Sequence, residues 1–198
     1  MSDRKVILKE KILSYPFVLE PRVQTDKAGK TKTSYQTAVV GYGKPPKELI
    51  EALIEAGVEK FGESFRKDIV DVINKESDKY KWPIRPGKSK GYGDDSWFFN
   101  CTSKSAPGIV TRFKGKDGKP IPLDKEKEKD QVYPGVIVNI SVNAFAYQAE
   151  GSKGVSLGLG NIQIWDTSAP RLDNRVAAED EFEADSEAGA ADLSDALY

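Results

Sequence analysis

Val136-Ile137-Val138-Asn139-Ile140-Ser141-Val142-Asn143-Ala144-Phe145-Ala146-Tyr147 alternates between two kinds of side chain along its length. Successive side chains of a strand point to opposite sides, so Val136, Val138, Ile140, Val142, Ala144 and Ala146 share one face. Ile137, Asn139, Ser141, Asn143, Phe145 and Tyr147 share the other. The first face is small and apolar, suited to the inside of a tight barrel. The second sets asparagines before two aromatic rings, a surface that a ligand can use. After a loop at Glu150–Gly154, Val155-Ser156-Leu157-Gly158-Leu159 alternates again. Around Gly160 the phase shifts to Ile162 and Ile164, which predicts a bulge.

Working outward, Ser14–Glu20 is β-prone, and Pro16 and Pro21 favour an edge or the strand ends. Thr25–Lys32 is a turn, and Tyr35–Tyr42 reads as the next strand. Pro45-Pro46 opens a helical region in which Leu49, Leu53 and Ala56 recur at helix spacing. Gly57 is expected to break it. A second helix over 58–74 then carries Phe61, Phe65, Ile69 and Ile73 as its core stripe. Residues 79–95, with two prolines and three glycines, are read as irregular. Strands Ser96–Thr102 and Ile109–Phe113 follow, separated by a turn at Pro107-Gly108. The basic hairpin tip Lys114–Lys119 is built on Asp117-Gly118, and Asp124–Asp130 reads as a solvated loop. Five or six strands with one helical insertion make a mostly β chain, a small and mostly antiparallel barrel.

The charge is divided along the chain. Residues 1–170 carry 28 Lys/Arg against 22 Asp/Glu, a balance of +6, while residues 171–198 carry 2 against 9, a balance of −7. The expected organisation is one basic domain over 1–170 and an acidic tail over 171–198. That tail, rich in Ala, Ser and Gly, buries too little apolar surface to offset the entropy of ordering and is expected to be disordered. A basic body tethered to an acidic tail suggests nucleic-acid binding with a built-in competitor; the plainer reading of the tail is that it only keeps the protein soluble.

The chain has no histidine and one cysteine, Cys101. Histidine-based acid–base chemistry and His- or thiolate-built zinc sites are therefore excluded, as is an internal disulfide. A reducing cytoplasm is the expected location, and no apolar run approaches the length of a membrane span. No cofactor is expected. Gly154-x-x-x-Gly158-x-Gly160 matches neither a P-loop nor a dinucleotide fingerprint. Asp94-Asp95 with a distant acid would support a magnesium-dependent nuclease, the weaker enzyme alternative.

Single-strand binding requires cations for phosphates and flat faces for unstacked bases. Three places offer both. The loop around Trp82 and Tyr92 carries Lys81, Arg85, Lys88 and Lys90. Trp97-Phe98-Phe99 leads on to Lys104 and to Arg112-Phe113-Lys114. The Phe145/Tyr147 face lies beside Lys153. Lys30 and Lys32 in the first turn add charge. Each place has a plainer reading. Trp97, Phe98 and Phe99 alternate sides, so at least one is core; Trp82 beside Pro83 can cap the helical unit; hairpin lysines often only solubilise.

Val132-Tyr133-Pro134-Gly135-Val136-Ile137-Val138-Asn139, Phe145-Ala146-Tyr147 and Lys153–Gln163 resemble a bacteriophage family of single-stranded DNA-binding proteins. Arg171-Leu172-Asp173 and Ala177–Phe182 are similar to that family's ending. The resemblance is densest over 130–182. It implies an OB-fold related to the replicative proteins of short-tailed phages, whose acidic tails contact replisome enzymes. By that resemblance the chain is a non-enzymatic, sequence-independent binder of single-stranded DNA in the host cytoplasm, with RNA not separated from DNA. Trp82, Tyr92, one of Trp97 and Phe98, Phe113 and Tyr147 are expected to stack bases. The tail, through Glu179, Asp180, Glu181, Phe182, Glu183, Asp185, Asp192, Asp195, Leu197 and Tyr198, is expected to recruit replisome or recombination proteins. Many such tails end in Phe where this one has Tyr198. A homo-oligomer is compatible with the sequence, and a structural phage component that docks proteins through its tail is the alternative outside catalysis.

Overall fold

The computed structural model describes residues 4–25, 29–75, 77–149 and 151–172. The tail residues expected to bind partners, Glu179 to Tyr198, lie outside the described residues.

The alternating segment forms strand β7, Ile137–Ala149, and its apolar face is the barrel interior: Val138, Ile140, Val142 and Ala144 are all buried, as is Val136 just before it. Its antiparallel partner β8, Ser152–Asp166, pairs from Ala149↔Ser152 to Ile137↔Asp166. The register breaks between Ile140 and Val142, where the bulge was expected. The cause is visible at Gly160, where a Cβ would lie 2.4 Å from Ser141 Oγ. That hydroxyl instead accepts the Asn161 N–H at 2.7 Å.

Strand β1, Lys5–Thr25, is much longer than the expected Ser14–Glu20 and is not an edge. It lies between β7 and strand β2, Thr31–Tyr42. Its prolines are tolerated because the register with β2 breaks between Ser14 and Phe17 and again between Phe17 and Arg22, so Pro16 and Pro21 fall where no ladder bond is lost.

The shorter strands of the sheet include β3, Arg85–Pro86, β4, Ser96–Ser103, and β5, Ile109–Lys114. A hairpin strand β6, Pro120–Pro122, pairs with β5. Strand β4 pairs antiparallel with β2 and closes in parallel onto β8 through Cys101↔Leu157 and Thr102↔Gly158. The result is a closed five-stranded barrel in the order β1-β2-β4-β8-β7, the strand arrangement of an OB-fold. Beyond the closure, β5 continues along the same edge of β8, again in parallel. Cys101 is interior, and burial pushes its thiol up to about 12, so it stays protonated and unreactive.

The helical insertion between β2 and β3 comprises α1, Lys47–Phe61, and α2, Ser64–Ile73. Leu49, Leu53 and Ala56 are buried as their spacing predicts, and α1 lies against β7 and β8. The break between the helices falls at Gly62, with φ +86, and not at Gly57. Gly57 stays helical because α2 brings the Phe65 ring onto it; a Cβ there would sit 2.0 Å from Phe65 Cε1. The stripe of α2 is also shorter than expected. Phe65 and Ile69 are core, whereas Ile73 is exposed. Phe65 and Phe61 gather around Tyr80, at 4.8 and 5.0 Å between ring centroids.

Gly57→Ala therefore sets two effects against each other. Helix propensity favours alanine by about 1 kcal/mol, while overpacking against a buried ring costs about 1–3 kcal/mol. The net expectation is a destabilisation of about 1 kcal/mol, read as a lowered urea midpoint at unchanged slope. A raised midpoint would show that Phe65 moves aside freely.

The segment 79–95 is more ordered than its prolines and glycines suggest. Lys81 N–H donates to Lys153 O at 2.9 Å, Lys81 O accepts the Val155 N–H at 3.1 Å, and Lys88–Lys90 form a 3-10 turn. At the other end, Leu172 N–H still donates to Pro134 O at 2.8 Å and Arg171 covers the Tyr133 ring.

Candidate nucleic-acid interface

Residues paired across a sheet share a face. The pairs Phe98↔Val40, Asn100↔Ala38 and Thr102↔Gln36 join β4 to β2, and Ser14↔Ala38 and Phe17↔Gln36 join β2 to β1. All of these point away from the barrel interior, opposite to Val39 and Phe99. Over this outer face lies an open cleft of about 470 Å³. Its floor is Gln36, Ala38, Asn100 and Thr102, and its walls include Tyr15, Arg22, Arg85, Lys90 and Tyr92. None of the residues lining it is acidic.

The walls are built by local backbone devices. Tyr15 has φ +49, a left-handed conformation rare for a bulky side chain. It sits in the β1 register break, which turns its ring outward to 68% exposure. Two residues on, Phe17 carries the Arg22 guanidinium over its ring at 5.5 Å. On the opposite wall, β3 pairs Arg85 with Phe98 and places its guanidinium 4.6 Å from that ring. Tyr92 meets Phe98 edge-on at 5.6 Å and bonds Ser14 Oγ at 2.9 Å. Phe98 is thus roofed by Arg85 and Tyr92, and is only 4% exposed.

Of the residues singled out in the sequence, Arg85, Lys90, Tyr92 and Phe98 meet in this cleft. Lys32 pairs with Gln24, a cleft residue, so it extends the same face toward Lys30 at the hairpin tip. Lys88 points instead to Asp94, at 3.1 Å, and Lys104 lies two residues beyond Thr102. Trp97 is a correction. Its ring stacks on Phe99 in the core and covers Gly41, where a Cβ would be 2.3 Å from it, so it has no face to offer a base. At least one of Trp97, Phe98 and Phe99 is core, as their alternation required. The expectation that one of Trp97 and Phe98 stacks a base is not met in this structure, because β4 is covered on both sides, by the barrel interior and by the Arg85–Tyr92 roof.

The other candidates lie elsewhere. Trp82 is half-buried in a separate groove with Tyr80, Ile84 and Trp97. Lys153 stands over the Tyr80 ring at 4.9 Å, and Tyr147, opposite Gly154, is half-buried. Arg112, Phe113 and Lys114 sit on β5, on the far side of β8 from β7. Sequence reasoning missed Tyr15, Phe17, Arg22, Gln24, Gln36 and Asn100. The readable signal was the aromatic pair flanking Pro16, followed by Arg22.

Among the described residues, no three carboxylate or thiol side chains come together as a metal site, and no helix is long and apolar enough to cross a membrane.

A family model described as the single-stranded DNA-binding protein of Enterobacter phage Enc34 matches residues 4–193. The chain belongs to this family. The solved structure of the Enc34 protein itself superposes with a TM-score of 0.52 at 12% identity, covering 90% of each chain. A C-terminally truncated form of the Enc34 protein gives 0.51, also at 12% identity, over 82% of this chain and 85% of that one. The single-stranded DNA-binding protein gp2.5 of bacteriophage T7 gives 0.53 at 12% identity, over 93% of this chain and all of that one. At such identity the likeness is one of fold. No curated protein sequence matches the chain. Membership of the Enc34 family agrees with the closed barrel described above.

Proposed function

We propose that this chain binds single-stranded DNA, largely without regard to sequence, in the cleft over β1, β2 and β4. The observation that carries the reading is the cleft's composition: three cations and three aromatic rings over a polar floor, with no carboxylate among the lining residues. Arg22, Arg85 and Lys90 supply charge for phosphates, and Tyr15 offers an open ring for an unpaired base. Asn100, Gln36 and Thr102 hydrogen-bond without demanding one base. A duplex hides its base faces and cannot use Tyr15. Family membership supports the same reading.

The acidic segment 176–198 is assigned two parts in this proposal. At low salt it competes with DNA for the cations of the body, and once displaced it is offered to replication or recombination proteins. The support is the +6 and −7 division of charge.

The test is fluorescence anisotropy with a labelled oligo(dT), an oligo(U) and a duplex of equal length. Strong preference for the single strands is expected, and removal of 176–198 should raise their affinity at low salt. Equal binding of the duplex would sink the cleft reading. An unchanged affinity after truncation would remove the competitor role only.

A further inference from the structure

The outer row that passes through Phe98 does not end at the cleft. Register carries it from Phe98 to Val40, then to Ile12, Ile137 and Asp166, crossing β4, β2, β1, β7 and β8 in turn. A groove of about 530 Å³ follows the row, with Lys11, Ile12, Tyr42 and Ile137 in its walls and Trp165 at its end. Trp165 falls in the break between Ile137↔Asp166 and Val138↔Ile164, which leaves its side chain partly exposed at 37%. Trp165 is shared with a second cavity, of about 400 Å³, which it lines with Arg112 and Phe113. Phe113 is 62% exposed and carries the Arg112 guanidinium over its ring at 5.3 Å. Two open rings and a cation thus line one cavity at the other end of this row, beside Asp166, which lines both the cavity and the groove.

We propose that a single strand too long for the cleft crosses the barrel along this row and stacks a base in the pocket of Trp165 and Phe113. The inference rests on the single-strand reading of the cleft and extends its path. The carboxylates near the route set its polarity. Glu10 lines the groove, and Asp166 Oδ1 accepts the Ser168 N–H and hydroxyl, each at 2.8 Å. Asp166 faces Arg112, which offsets its charge, so phosphates run toward Lys11 and the bases turn toward the rings.

The arrangement also provides its own reporter. Trp97 is core and Trp82 half-buried, so Trp165 is the tryptophan that a passing strand reaches. The experiment uses the full chain with oligo(dT) of about 5 and about 15 nucleotides, lengths that bracket the footprint of one such barrel. Both should bind, and the longer alone should quench tryptophan emission. Phe113→Ala and Trp165→Ala should each weaken the longer oligonucleotide about tenfold and leave the shorter unchanged. Phe113→Ala is the deciding variant, because so exposed a ring contributes little to folding. The inference is overturned if the longer strand binds no tighter than the shorter, or if Phe113→Ala leaves the longer unchanged. It is also overturned if Phe113→Ala changes the sedimentation of the free protein, which would make the pocket a contact between copies. Failure of both lengths to bind would remove the cleft reading and this inference with it.

Discussion

Tyr15→Gly is expected to lower affinity for oligo(dT) by about one order of magnitude or more while leaving the protein as stable as before. A base stacked on an aromatic ring contributes about 1–3 kcal/mol, or roughly five- to 150-fold in affinity. Tyr15 is the most exposed ring in the cleft, so its loss removes stacking and little burial. Its backbone is the second half of the argument. A non-glycine residue in the left-handed region costs roughly 1–2 kcal/mol, and Tyr15 has φ +49. Glycine relieves that strain, against about 0.5–1 kcal/mol of extra chain entropy in the unfolded state. The two nearly cancel, with any residue in favour of the variant. Tyr15→Phe keeps the ring and should bind as the parent does. Anisotropy and thermal melting of the three proteins check this together. A glycine variant that binds normally would show that the strained turn serves the fold; one that melts several degrees lower would show that the ring does.

The position of this residue explains what the sequence did and did not disclose. The barrel was legible where one face is buried and the other is not, as in β7, whose alternation predicted its interior, and in β8, whose change of phase at Gly160 predicted the bulge opposite Ser141. It was illegible where tertiary cover changes the rule. Three consecutive residues, Trp97, Phe98 and Phe99, are all buried, which no alternation predicts, because Arg85 and Tyr92 fold back over the outer side. Gly57 looked like a helix breaker because propensity ignores Phe65, which arrives from the next helix. Pro16 and Pro21 looked like edge markers because a register break, the other way to accommodate proline, leaves no mark in sequence. The cleft inherits that same break. Its cationic wall, Arg85 to Tyr92, was readable as lysines and aromatics in an irregular loop, whereas its opposite wall, Tyr15 to Arg22, was hidden inside a strand whose length was underestimated.

Replacing Arg22, Arg85 and Lys90 together by glutamine is expected to remove a large part of the salt dependence of binding. Each phosphate neutralised on a single strand contributes about −0.7 to the slope of log affinity against log salt. Three cations meeting three phosphates thus account for about 2 units of slope. Between 50 and 200 mM salt the advantage of the parent over the triple variant should shrink about twentyfold. Lys32 and Lys104 retain some slope in the variant. Two of the three cations do more than neutralise, since Arg22 and Arg85 are held over the Phe17 and Phe98 rings at 5.5 and 4.6 Å. A planar guanidinium so placed presents a flat face to a base as well as charge to a phosphate. Arg85→Lys separates the roles. It should keep the slope, because the charge remains, and lose affinity equally at every salt concentration, because the flat face is gone. A triple variant with the parental slope would put the phosphates elsewhere, with the Lys153 and Tyr147 side of the barrel the next place to look. An Arg85→Lys variant that keeps both the slope and the affinity of the parent would mean that Arg85 acts as a charge alone, and that Phe98 remains roofed when DNA is bound.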